Sequence, residues 1–274
     1  MKSKLAEALG LEFPPVVLVW TDKKPDSAVE FSPGRWGCVM FHLAAAARGR
    51  TAVIGRETFG CPGGGVGLGF GNCYLDFPGG VDAFYRFLSE GNEGDPAGKG
   101  IGEAMAASGN RDMAEEFLLG ERYMKDAACA RNFVENMPIR DIPAKYVLLR
   151  PMTDGDLDNE DVRSITLLVN PDQLSALVVM ANYEHPEREN VGIPYAAGCQ
   201  IIGIFMYREK ERDMPRALIG LTDLSARKNV GRILGKDKMT FSMTPGMFKT
   251  MESNFDGSFF QRHTWEALGQ ASMG

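Results

Sequence analysis

The chain has 274 residues, 44% of them hydrophobic and 24% charged, which supplies enough apolar material for a sizeable core in a soluble protein. Thirty basic against thirty-six acidic side chains leave a net charge of −6, which argues against a general nucleic-acid-binding surface. No apolar run approaches the roughly 20 residues that span a bilayer, and Met1–Glu7 shows no signal-peptide hydrophobic region, so a cytoplasmic location is expected.

Lys4 to Leu9 reads as a short helix, and Pro14-Pro15 breaks the chain before Val16–Trp20, whose β-branched residues predict a buried strand. A polar, proline-containing loop from Thr21 to Arg35 leads to a helix over Cys38–Ala47, with Gly49 as its stop, and then to a strand at Thr51–Gly55. Gly60–Gly71 holds so many glycines that an irregular loop is expected. Val81–Met137 is mostly helical in pattern, with a polar loop at Gly91–Gly102. Strand patterns return at Ile142–Arg150 and Ile165–Val169 on either side of an acidic turn, Asp154–Asp161. Asn170-Pro171-Asp172 opens a helix that runs to Asn182, and Tyr183–Glu189 reads as a solvated loop. Further helices are expected at about Ala197–Arg208, at Arg227–Leu234 and from Pro245 onward, with strands at Ala217–Leu221 and Met239–Met243. The methionines and phenylalanines between Met239 and Met251 read as core. Strands and helices mix without strict alternation, so the expected class is α+β.

Two segments echo each other. After Val16–Trp20 the pair Gly37-Cys38 opens a helix that ends before Ala52-Val53-Ile54-Gly55. After Ile165–Val169 the pair Gly198-Cys199 opens a helix that ends before Ala217-Leu218-Ile219-Gly220. The order predicts a degenerate internal duplication: a single compact unit over 1–274, with halves at about 10–75 and 144–262 and a helical insertion at about 80–140. Pseudo-twofold packing of such halves brings the helix starts bearing Cys38 and Cys199 together, with Cys61 nearby. Unpaired N–H groups at a helix start favour a thiolate.

Pro14-Pro15-Val16-Val17, Gly37-Cys38, Cys61-Pro62-Gly63-Gly64 with Gly67-Leu68-Gly69, Asn170-Pro171 and Gly198-Cys199, taken in order, resemble the domain of unknown function 169 family over nearly the whole chain. The resemblance implies an uncharacterised cytoplasmic protein of bacteria or archaea with cysteines at the positions of Cys38, Cys61 and Cys199. It also implies a fourth ligand position after the second-half strand, often cysteine in the family and occupied here by Asp223.

Five cysteines, an odd number, argue against a disulfide scaffold in such a compartment. The leading expectation is a thiolate–metal site, an iron–sulfur cluster foremost, held by Cys38, Cys61 and Cys199 with Asp223, an open position or Cys73 as the fourth partner. Burial of the same cysteines as small core residues is the plain alternative. Zinc on Cys38 and His42, one helical turn apart, is a further option. A binding module without metal is the rival from another class. In it the amides of Gly63, Gly64 and Gly65 cradle an anion or nucleotide and Arg227 anchors its charge. Cys129, flanked by alanines, reads as buried and inert, and no motif assigns a catalytic residue. A small-molecule partner is expected, with no nucleic acid and no membrane; the sequence leaves the oligomeric state open.

Overall fold

The computed structural model describes residues 3–185 and 189–271, so the expected loop at Tyr183–Glu189 lies partly outside the described residues. Among them no helix is long and apolar enough to cross a membrane. The chain divides into two compact units, Met1–Phe70 with Ile142–Gly274, and Gly71–Asp141, where the sequence reading expects one unit with an insertion.

The larger unit is built on a seven-stranded sheet of order β2-β3-β1-β4-β7-β6-β5. Its strands are β1 Val16–Thr21, β2 Ala52–Gly55, β3 Tyr146–Pro151, β4 Val162–Val169, β5 Val191–Gly192, β6 Ala217–Gly220 and β7 Met239–Met243. All neighbours pair antiparallel except β5 and β6. The runs of Val, Ile and Leu that predict β1 and β4 sit at the centre, where both faces are covered. Outward from the β1–β4 pair, the strands run β1, β3, β2 on one side and β4, β7, β6, β5 on the other.

Around this sheet stand α1 Lys4–Ala8, α2 Met40–Ala47, α3 Pro62–Leu68, α8 Pro171–Ala181, α9 Gly198–Gln200, α10 Met206–Lys210, α11 Leu224–Leu234, α12 Pro245–Ser253 and α13 His263–Ala271. Asn170 and Gln173 form a reciprocal cap that starts α8. Val17, Ile165, Leu167, Phe241 and Met243 form one core with Leu177, Met180, Phe248 and Met251. The expected methionine and phenylalanine core is therefore present. The alternate residues of β4 point the other way, where the Ser164 hydroxyl donates to the carbonyl of Ile202 at 2.7 Å.

The smaller unit holds α4 Gly80–Phe87, α5 Pro96–Ala107, α6 Arg111–Leu119 and α7 Ala127–Glu135. Its centre is aromatic: Tyr74 stacks on Phe84 with ring centroids 4.0 Å apart, and Phe77 packs against Phe84, Phe87 and Phe117. Part of the loop expected at Gly91–Gly102 is helix α5. Asp95 caps it by accepting from the Gly98 amide at 3.1 Å, and Pro96 occupies the first helical position. Gly102 is present because the Leu118 side chain lies 2.5 Å from where a Cβ would stand.

The glycine-rich stretch after β2 is likewise not an irregular loop, since Pro62–Leu68 is helix α3. Glycine weakens a helix by about 1 kcal/mol relative to alanine. Here close packing outweighs that cost, because a Cβ on Gly67 would stand 2.9 Å from the backbone and Sγ of Cys199. The helix expected to open at Cys38 begins instead at Met40, with Cys38 just before it.

Candidate functional site

Three cysteines and one carboxylate meet in the larger unit, each at the start of a different helix. Cys61 caps α3, its Sγ accepting from the Gly64 amide at 3.3 Å. Cys38 precedes α2, where the Met40 amide and the Asn229 side chain favour its thiolate. Cys199 is the second residue of α9, and its thiol donates to the Gly63 carbonyl at 3.4 Å. Asp223 caps α11 by accepting from the Ala226 amide at 3.2 Å, while its other oxygen accepts from the Gly198 amide at 2.9 Å. The carboxylate thus ties the start of α11 to the start of α9.

Backbone proximity draws these starts together. A Cβ on Gly60, whose φ is +80°, would stand 2.4 Å from the Gly37 carbonyl, so the residues before Cys61 and Cys38 touch main chain to main chain. The helical run that carries Cys199 contains a π turn at Ile201–Phe205, centred on Gly203 at φ −106° and ψ −106°. Such turns concentrate at functional sites. Here the turn lets the run close on α3, and Ser164 takes up the carbonyl of Ile202.

The four groups feel one another. Burial, then repulsion from Cys61, raises the Cys38 thiol to about 12. Burial raises Cys199 well above the ordinary thiol range, with Cys61, Cys38 and Asp223 adding repulsion. Burial also raises Asp223, against the amides of Ala226 and Gly198 and the charge of Arg227. Three thiols and a carboxylate therefore share one neighbourhood in which negative charge accumulates unfavourably. As they stand, no group of three or more His, Cys, Asp or Glu side chains among the described residues is arranged to hold a metal ion.

The other residues singled out by sequence are placed differently. The amides of Gly64 and Gly65 serve the first turn of α3, bonding Cys61 Sγ and the Cys61 carbonyl, so they form no open anion cradle with Gly63. Arg227 is not held out to a ligand. Its Nη1 donates to the carbonyls of Leu221 at 3.2 Å and Lys238 at 3.1 Å, and its Nη2 to that of Lys236 at 2.5 Å. His42 is buried, packs edge-on against Phe31 with centroids 4.2 Å apart, and has Glu30 as its electrostatic neighbour. Cys73 belongs to the smaller unit. Cys129 is exposed rather than buried, because α7 turns Ala130 and Val134 inward instead.

Sequence reasoning missed Asn229 and Ser164. Asn229 lies two turns into α11 with no motif around it. Ser164 stands at the edge of a hydrophobic strand run, where a lone serine gives no sign of the π turn it supports.

Fold and site together define an α+β protein in which three cysteines and one aspartate from four remote stretches of sequence gather at or just before helix starts. The sequence profile of the domain of unknown function 169 family, described as uncharacterised ArCR, matches residues 4–254, and the chain belongs to that family. No curated protein and no solved structure matches the chain.

Proposed function

We propose that this is a cytoplasmic thiolate–metal protein, with an iron–sulfur centre as the group its donors suit, working in redox or small-molecule chemistry. One observation carries the reading: Cys38, Cys61 and Cys199 come from separate regions of the sequence, yet Cys61 raises the cost of ionising both Cys38 and Cys199, and Cys38 that of Cys199. A cation or cationic cluster core removes that cost, and main-chain N–H groups near the sulfurs help to hold a thiolate-ligated centre. Loading must then displace thiol protons and turn the Cys199 side chain from Gly63, so uptake is expected to strengthen as pH rises. Asp223 spends both oxygens on amides, which favours a role in holding α9 against α11 over a role as ligand.

The same reading takes the two halves as a degenerate duplication, with the helices after Cys38 and Cys199 as counterparts. That both Ala-x-Ile-Gly runs form four-residue buried strands, β2 and β6, supports it. The net charge of −6 favours a small-molecule partner over nucleic acid.

Anaerobic reconstitution with ferrous iron and sulfide is the test. The reading expects a brown chain carrying iron and acid-labile sulfide, undiminished in Cys129→Ser and lost in Cys38→Ser, Cys61→Ser and Cys199→Ser. A wild-type chain that stays colourless and metal-free overturns it and leaves the three cysteines as core residues.

A further inference from the structure

A cleft of about 260 Å³ runs along α11. Four cations line it, Arg227, Lys228, Lys236 and Lys238, together with the apolar side chains of Leu221 and Leu234, and no carboxylate belongs to the wall. Lys238 is met by Asp237 and Glu12 behind the wall, so the other three cations give the cleft its positive character in a chain of net charge −6. The cationic wall is held in place. Lys238 is about nine-tenths buried and its Nζ lies 3.0 Å from Asp237 and 3.2 Å from Glu12. Arg227 is fixed by the carbonyls it bonds. One of those belongs to Leu221, which holds φ at 59°, a conformation that a branched apolar residue rarely adopts and that tends to mark functional positions.

Gly231 adds an independent observation. It lies inside α11, where glycine costs about 1 kcal/mol relative to alanine. The nearest atom to a Cβ built there is Lys236 Cγ at 4.0 Å, so packing does not require glycine. Gly231 lines the cleft, so a large side chain there would take up part of its space.

We propose that this cleft binds a small amphiphilic organic anion, its acidic head on Lys228 and Lys236 and its apolar body over Gly231 against Leu234. The cleft is smaller than drug-sized pockets, which begin at roughly 300 Å³, so the ligand is compact. The proposal does not rest on the cysteine site, and either stands if the other fails.

Calorimetric titration of the full chain with octyl phosphate and with octanoate, below their micelle thresholds, tests it. Inorganic phosphate and octanol serve as comparison probes. At least one amphiphile is expected to bind saturably at one per chain, about tenfold or more tighter than either comparison probe. Changing Lys228→Ala together with Lys236→Ala, both on the surface of the cleft, should weaken binding by about tenfold. Gly231→Phe should abolish binding while the melting temperature holds. The proposal is overturned if neither amphiphile saturates, if phosphate or octanol binds as tightly, or if the lysine pair can be removed without loss of affinity.

Discussion

Gly203 lies against Gly67 so closely that a Cβ on Gly203 would stand 2.0 Å from the Gly67 carbonyl oxygen. This contact joins α3 to the π turn, and through them Cys61 to Cys199. Overpacking of a tight interior contact costs typically 1–3 kcal/mol. Gly203→Ala is expected to lose at least about 2 kcal/mol in urea unfolding, because the obstructing atom is backbone and cannot rotate away. Gly246→Ala is the comparison, since nothing lies within 4 Å of its Cβ position. Equal stability of the two variants would show that α3 and the π turn are not locked together.

Asp223 separates a ligand from a positioning residue. Replacing it with alanine removes the acceptors of the Gly198 and Ala226 amides, a loss of about 2 kcal/mol for a cap and a buried donor left unpaired. Asparagine keeps an acceptor oxygen. Asp223→Asn should therefore retain most of the metal loading and recover part of the stability that Asp223→Ala loses. Complete loss of loading in Asp223→Asn, with the fold intact, would make Asp223 a ligand after all.

His42 gives the fold a pH dependence of its own. Burial lowers its pKa from 6.5 to about 4, and Glu30 offsets only part of that. The unfolded chain therefore takes up a proton at this site between those values and the folded chain does not. Stability contributed by the neutral ring is present above 6.5 and is lost as pH falls toward 4. Between pH 7 and pH 5 this amounts to about 2 kcal/mol. Urea unfolding at the two pH values should show that difference, and His42→Leu should flatten it. A His42→Leu chain that keeps the full slope would place the titration elsewhere.

Arg227 holds three carbonyls at the turn between β6 and α11 and at the turn before β7. Arg227→Met leaves those carbonyls without their charged donor and is expected to cost about 2–3 kcal/mol. Thermal unfolding measures it. A neutral outcome would mean that water replaces the guanidinium at no cost.

The strands were legible because runs such as Val16–Trp20 and Ile165–Val169 are both β-branched and uninterrupted, and helix α8 because Asn170, Pro171 and Gln173 spell its start. Helix α3 was not, because four glycines, Gly63, Gly64, Gly65 and Gly67, argue against a helix and only tertiary contact with Cys199 and Gly203 decides for one. Cys129 misled for a simpler reason: its alanine neighbours carry no information about which side of α7 faces inward. The neighbourhood of Cys38, Cys61 and Cys199 left a trace in the repeated Gly-Cys helix starts. Asn229 and the π turn left none.

The central claim is that three thiols join on one metal. Titrating the reduced chain with cobalt(II) under anaerobic conditions reads this directly, through the charge-transfer absorption that grows with each thiolate bound. The account expects one equivalent to bind with a strong band, weakened by serine at position 38, 61 or 199 and unchanged by Cys73→Ser or Cys129→Ser. A band that is absent, or that survives Cys199→Ser at full strength, would contradict it.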